Sequence, residues 1–272
     1  MNETLAGHEV VWISDGRLEV AVATQFGPRL LGLRLAGEHN VFAELGSAGI
    51  DRGPAGKYSF YGGHRVWVSP EVPEITYAPD DLPVTLEERG SQITVRSDDG
   101  PFAKAISIAF DGEAVQVGHR LSNQTGASAE AAAWAITQLR PGGTARLPLA
   151  TTALDDHGLQ PNRMVVAWPY TNWADPLVEL DNDEIRLLAG RSTPTKVGTV
   201  IGGNGVLTYD LDGLRFSKRI EASLGAVHAD LGANGQIYAN DQFVELETVG
   251  PLVTLGPGES TTHTEWWALA HA

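Results

Sequence analysis

Hydrophobic and polar positions alternate with period two along most of the chain. Leu18, Val20 and Val22 fall on one face of "RLEVAV", with Arg17 and Glu19 on the other. Ile93 and Val95 repeat the pattern in "QITVR", and Ile106, Ile108 and Phe110 in "AISIAF". "AVQVGHRL" places Val115, Val117, His119 and Leu121 together. A side chain on a strand points opposite to its neighbours, so each run predicts a strand with one face buried. The runs are separated by "SDG", "SDDG", "FDGE", "LDG", "GANG" and "GPGES", which are turn sequences. Many short antiparallel strands joined by tight turns follow, and no sustained helical period competes with them.

Residues 127–139, "ASAEAAAWAITQL", are the one helical temptation, because alanine favours helix. The run closes on aromatic and β-branched residues, and the pattern favours a strand. Residues 141–176 are rich in proline and read as excursions from a sheet. "IGGNG" at 201–205 reads as a turn rather than a phosphate loop, since no helix pattern follows. No linker interrupts the chain. The predicted architecture is all-β, a large antiparallel β-sandwich spanning 1–272 as a single domain.

Composition narrows the function classes. The 272 residues carry a formal net charge of −15, which argues against nucleic acid, whose phosphates need a basic footprint. There is no cysteine, so disulfides, thiolate catalysis and thiolate zinc sites are excluded. The beginning "MNETLAGHEVVW" lacks a basic and apolar leader pattern, and no apolar run is long enough to span a membrane. A cytoplasmic protein acting on a small-molecule substrate is the expectation. No metal or organic cofactor is expected, because the chain has neither a spaced ligand cluster nor a dinucleotide fingerprint. The oligomeric state is not legible.

Two stretches carry candidate chemistry. In "QFVELE", Val244 and Leu246 share one face, and Phe243, Glu245 and Glu247 the other. Carboxylates two residues apart on a strand lie about 7 Å apart. In a cavity, desolvation and mutual repulsion raise the pKa of at least one, which suits a general base. Arg29, Arg65, Lys196, Lys218 and Arg219 are the cations that could answer them. In "YGGHRVWVSPE", residues 61–71, two glycines precede His64, Arg65 and Trp67. The reading is a pocket wall where glycine lets the backbone approach a ligand. Alternation puts His64 and Arg65 on opposite faces unless the glycines kink the strand, and His64 is the one expected to face the pocket. Trp67 and Trp134 are candidate aromatic platforms.

"FVELE" followed by "PLVTLGPGES" resembles the end of the galactose mutarotase-like family, which includes aldose 1-epimerases and hexose-6-phosphate epimerases. "FGPRLLGLRLAGEHNVF" is similar to the family's opening hairpin, and "YGGHRVWVSPE" to its sugar-site Gly-Gly stretch. "LSNQTGASAEAAAWAITQL" and "KVG" extend the likeness to a poorly characterised branch, over roughly residues 10–269. The resemblance implies a β-supersandwich whose concave face holds a pyranose. Glu247 falls on the family's base; Arg29, Arg65, Trp67, Trp134, Gln138, Lys196 and Glu245 are the candidate substrate-binding residues of this chain. One departure matters. The family's mid-chain catalytic histidine has no counterpart in "AAAWAITQL", where Trp134, Thr137 and Gln138 stand instead. His64 is the expected substitute, with His119 next. His263 lies near the chain end and is set aside; it shares a face of "HTEWW" with Glu265, which could instead be a surface pair.

Three functions remain open. The first is an aldose 1-epimerase or mutarotase using side-chain acid/base chemistry. The second is an isomerase or cyclase that has turned the pocket to a non-sugar metabolite, which an apolar lining would favour. The third is a non-catalytic carbohydrate-binding domain.

Overall fold

A computed structural model describes residues 3–53, 56–149, 157–190, 193–202, 205–221 and 225–272. Among these residues, twelve strands form one antiparallel sheet and ten form a second. The helices bounded among the described residues are one four-residue turn, Pro73–Thr76, and a 3-10 turn at Asp230–Gly232. No helix among the described residues is long and apolar enough to cross a membrane.

The alternating runs become strands because their apolar faces meet between the sheets. Leu18, Val20 and Val22 from the first sheet pack in one core with Ile106, Ile108, Val115, Val117 and Leu121 from the second. Each such side chain contributes roughly 1.5–3 kcal/mol when fully buried. Trp267 is wholly buried in this layer, edge-on to Phe42 and Phe216 at 5.8 Å each. Its truncation to alanine is expected to cost about 3–5 kcal/mol.

The alanine-rich stretch is a strand, Ala129–Leu139, not a helix. It is buried on both faces along most of its length, where small residues let neighbouring layers close in. The 141–176 region contributes two short strands, Thr144–Pro148 and Val165–Ala167, with residues 150–156 of it outside the described residues. Gly203 and Asn204 of "IGGNG" also lie outside them; a strand, Val206–Leu211, follows. Within the larger sheet the order Arg29–Leu35, Lys57–Ser69, Ala129–Leu139, Val244–Val249, Gly235–Ala239, Thr195–Thr199 builds the floor of the site.

The Gly-Gly pair has a different purpose from the one its sequence suggests. Gly62 and Gly63 adopt φ of +91° and +68°, where side chains are strained. A β-carbon on Gly62 would lie 1.9 Å from the carbonyl oxygen of Ala43, and one on Gly63 2.1 Å from that of Leu30. The glycines admit neighbouring backbone, not a ligand.

Candidate active site

Register sets the site. Arg65 pairs with Ile136, Ile136 with Glu247, Glu247 with Gln236, and Gln236 with Gly198. The adjacent row runs Gly63, Gln138, Glu245, Tyr238, Lys196. A third row joins Trp67, Trp134 and Val249. Directly opposed residues share a face, so all of these lie on the outer side of the larger sheet. A cavity of about 280 Å³ opens there, lined among others by Arg65, Trp67, Trp134, Lys196 and Glu245.

Two buried ion pairs cross this face. Nη2 of Arg65 donates to Oε1 of Glu245 at 3.0 Å, and Nε2 of Gln138 donates to the same oxygen at 2.9 Å. Nζ of Lys196 donates to Oε2 of Glu247 at 2.8 Å, joined by Nε1 of Trp134 at 2.7 Å. Both cations also lie over indoles. Arg65 is 4.0 Å from Trp67, and Lys196 is 4.6 Å from Trp134 and 4.8 Å from Trp168. Gly198 leaves room for that second indole, whose ring atoms would lie 3.3 Å from a β-carbon there.

Glu247 is fully buried beneath the cavity floor, whereas Glu245 reaches the cavity itself. Burial pushes the Glu247 carboxyl up to about 7, Lys196 opposes this, and the Glu245 charge adds to it. Its second oxygen, Oε1, has no hydrogen-bond partner among the described residues. A carboxyl that exchanges its proton near neutrality is equipped for acid/base work.

The structure corrects the placement of His64 and Arg29. His64 does not face the cavity. It lies on the inner side of its strand, because Arg65 and Trp67 take the outer one and alternation leaves His64 and Val66 facing the core. Arg29 does not line the cavity either. It is buried one layer behind, salt-bridged to Asp80 at 3.2 Å, and it donates to the hydroxyl of Tyr58, which accepts from Nε1 of Trp67 at 2.6 Å. Arg29 thus braces an aromatic wall.

His64 belongs to a polar network between the sheets. Its Nε2 lies 2.7 Å from Nε2 of His119, whose Nδ1 lies 3.0 Å from the carbonyl oxygen of His263. A carbonyl only accepts, so Nδ1 of His119 donates and its Nε2 accepts from His64. Nδ1 of His64 then accepts from the Thr137 hydroxyl, 2.9 Å away. This donor order is that of two neutral rings. Burial drives His64 well below the usual histidine range and His119 and His263 down to about 3. His263 and Glu265 are buried here, not a surface pair: Glu265 is salt-bridged to Lys218 at 2.9 Å. His64, His119 and Glu265 present ligand atoms within 4.8 Å of one another. Yet Glu265 already accepts from Lys218, Thr248 and Trp267. With the Lys218 ammonium balancing its charge, the group reads as a hydrogen-bond network rather than a metal centre.

Sequence reasoning missed Glu71, Tyr77, Tyr170, Tyr238, Asn240 and Gln242, all of which line the cavity. Tyr238 was within reach, since it alternates with Gln236; Glu71, Tyr77 and Tyr170 lie in connections with no periodicity. Hollows of about 370 and 410 Å³ on the outer face of the smaller sheet are lined by residues such as Thr94, Ala105 and Arg120, without a buried acid/base pair.

No family profile matches the chain, and no curated protein is similar to it in sequence. Solved structures do share its fold. A galactose mutarotase related enzyme from Lactobacillus acidophilus superposes with a TM-score of 0.58 at 10% identity, over 96% of this chain and 97% of that one. A galactose mutarotase-like protein from Lactobacillus casei gives 0.57 at 9% identity, over 96% and 100%. A TPR-domain containing protein from Parabacteroides distasonis gives 0.64 at 12%, over 97% of this chain but 47% of the other. The chain has the galactose mutarotase-like fold.

Proposed function

We propose that the protein is a mutarotase-like isomerase that interconverts the anomers of a sugar or sugar-like hemiacetal. The observation that carries this reading is the Lys196–Glu247 pair, buried beneath the cavity of the larger sheet with a carboxyl raised to about 7. A hemiacetal carries its hydroxyl oxygen and its ring oxygen on one carbon, so an adjacent acid and base can address both.

In the proposed step, Lys196 shifts toward the ligand and exposes Oε1 of Glu247. Glu247 takes the proton of the anomeric hydroxyl. The electron pair forms the carbonyl, the bond from the anomeric carbon to the ring oxygen breaks, and Lys196 protonates that oxygen. The aldehyde turns and the reverse sequence closes the ring on either face. Closure returns the proton of Glu247 to the carbonyl oxygen and that of the ring hydroxyl to Lys196, so the pair, 2.8 Å apart, ends as it began. No histidine is required, which accounts for its absence from the Ala129–Leu139 strand. Trp67 and Trp134 would stack on the ring, and Glu245, held by Arg65 and Gln138, would accept from its hydroxyls.

A second reading, an isomerase or cyclase of a non-sugar metabolite, is favoured by the aromatic lining of the cavity. NMR exchange spectroscopy on a panel of hexoses and pentoses separates the two. Acceleration of anomer exchange by native but not heat-denatured protein is expected. No acceleration across the panel would leave the non-sugar reading.

A further inference from the structure

The cavity lining has a charge and ring composition of its own. One run of aromatic contacts joins Trp134, Trp67 and Tyr77 at centroid distances of 5.4 and 5.1 Å. Another joins Phe60, Phe243, Tyr238 and Tyr170 at 5.8, 5.8 and 6.4 Å. Arg65 lies over both Trp67 and Phe60 and ties the runs together. The ring faces left over carry negative potential toward the space between them.

Three carboxyl groups meet two cations at this site: Glu71, Glu245 and Glu247, the last of them charged above about pH 7, against Arg65 and Lys196. Both cations are already engaged, each by a carboxylate and by an indole. Arg65, at 1%, is less exposed than its partner Glu245 at 8%, whereas Lys196, at 4%, covers the wholly buried Glu247. Oε1 of Gln138 and, once Glu247 is ionised, Oε1 of Glu247 are buried acceptors on this face with no hydrogen-bond partner among the described residues. The unpartnered donors, Nε and Nη1 of Arg65, belong to the guanidinium stacked on Trp67. The tyrosines respond to the same field. Burial raises Tyr77, Tyr170 and Tyr238, and glutamate charges raise each of them further.

We infer that the cavity selects a ligand bearing a positive charge, an amino sugar or a comparable ammonium-bearing polyol, over neutral and phosphorylated sugars. Aromatic faces with carboxylates behind them bind ammonium groups, while a phosphate would meet like charge and cations that each already hold a carboxylate. The polyol part of this inference rests on the sugar-isomerase reading; the charge part rests on the lining alone.

The test is a set of tryptophan-fluorescence titrations at fixed ionic strength, below the pKa of the amine. The ligands are D-galactosamine, D-galactose, D-galactose 6-phosphate and tetramethylammonium chloride, with the gluco forms of each sugar alongside. The amino sugar is expected to bind on the order of tenfold more tightly than its neutral counterpart, and the phosphate most weakly. Glu71→Gln should shrink the amino-to-neutral ratio, because it removes one rim charge. Equal affinity for amino and neutral sugars, or tightest binding of the phosphate, would overturn the charge selection and leave the sugar reading standing. Binding of tetramethylammonium with no sugar bound would support the charge selection while defeating the sugar reading. No binding of any of these ligands would overturn both.

Discussion

Glu247 is the residue on which the chemistry turns, and its environment makes a pH-dependent prediction. Burial sets its pKa near 7, against the pull of Lys196 and with the push of Glu245. A base must be unprotonated to act, so kcat/KM for anomer exchange should rise as pH increases through about 7 and then level off. Glu247→Gln should lack that limb; a carboxylate with only a structural role would leave the profile in place. Alternation along "QFVELE" already turned Glu245 and Glu247 away from the core, and the structure keeps them so. The same rule left His64 and Arg65 competing for one face, and only the neighbouring strand decides between them. Arg65 is opposite Ile136, which is opposite Glu247, so Arg65 takes the cavity side. The partner of Glu247 was no more legible: Lys196 lies two strands away in the sheet and 51 positions earlier in the chain.

At the scale of elements, the Lys57–Ser69 strand shows what a sequence motif can hide. Its glycines were readable as a special backbone site, but the atoms that approach them come from Ala43 and Leu30, which no local pattern reveals. Gly62→Ala combines a strained φ with a collision against fixed backbone and should destabilise by more than about 3 kcal/mol. Gly112→Ala has a φ of +59° with open space around its β-carbon, and it should cost only about 1 kcal/mol. Urea denaturation of both variants separates close approach from strain; equal losses would mean that the Ala43 contact is yielding. The Ala129–Leu139 strand makes the converse point. Its alanines favour helix locally, and burial between neighbouring strands overrides that preference.

For the whole molecule, the polar network between the sheets sets stability against acid. His119 and His263 titrate near 3 when folded and His64 well below its usual value, against about 6.5 in an unfolded chain. Between those values the unfolded state binds protons that the folded state refuses. Stability is therefore complete above about pH 6.5 and falls as pH drops, by about 1.4 kcal/mol per pH unit for each histidine. Glu247 acts in the opposite direction, since its raised pKa lets the folded state take a proton first between 7 and 4.5. The histidines outnumber it, so urea midpoints should decline steadily on acidification below about pH 6. A profile flat down to pH 4 would contradict the neutral, buried network. The alternating pattern announced two packed sheets, and the fold has them; what it could not announce was a second polar layer on the reverse of the strands that form the site.

The most direct test of the account compares NMR anomer-exchange rates of the unaltered protein, Glu247→Gln and Glu245→Gln on one accepted sugar, each variant first shown to be folded by its near-ultraviolet circular dichroism. General-base catalysis typically contributes 10²–10⁴-fold, so Glu247→Gln should lose on the order of a hundredfold or more in kcat, while Glu245→Gln raises KM with a smaller change in kcat. Undiminished exchange by Glu247→Gln, or a loss confined to Glu245→Gln, would contradict the assignment of the buried Lys196–Glu247 pair as the proton-exchanging centre.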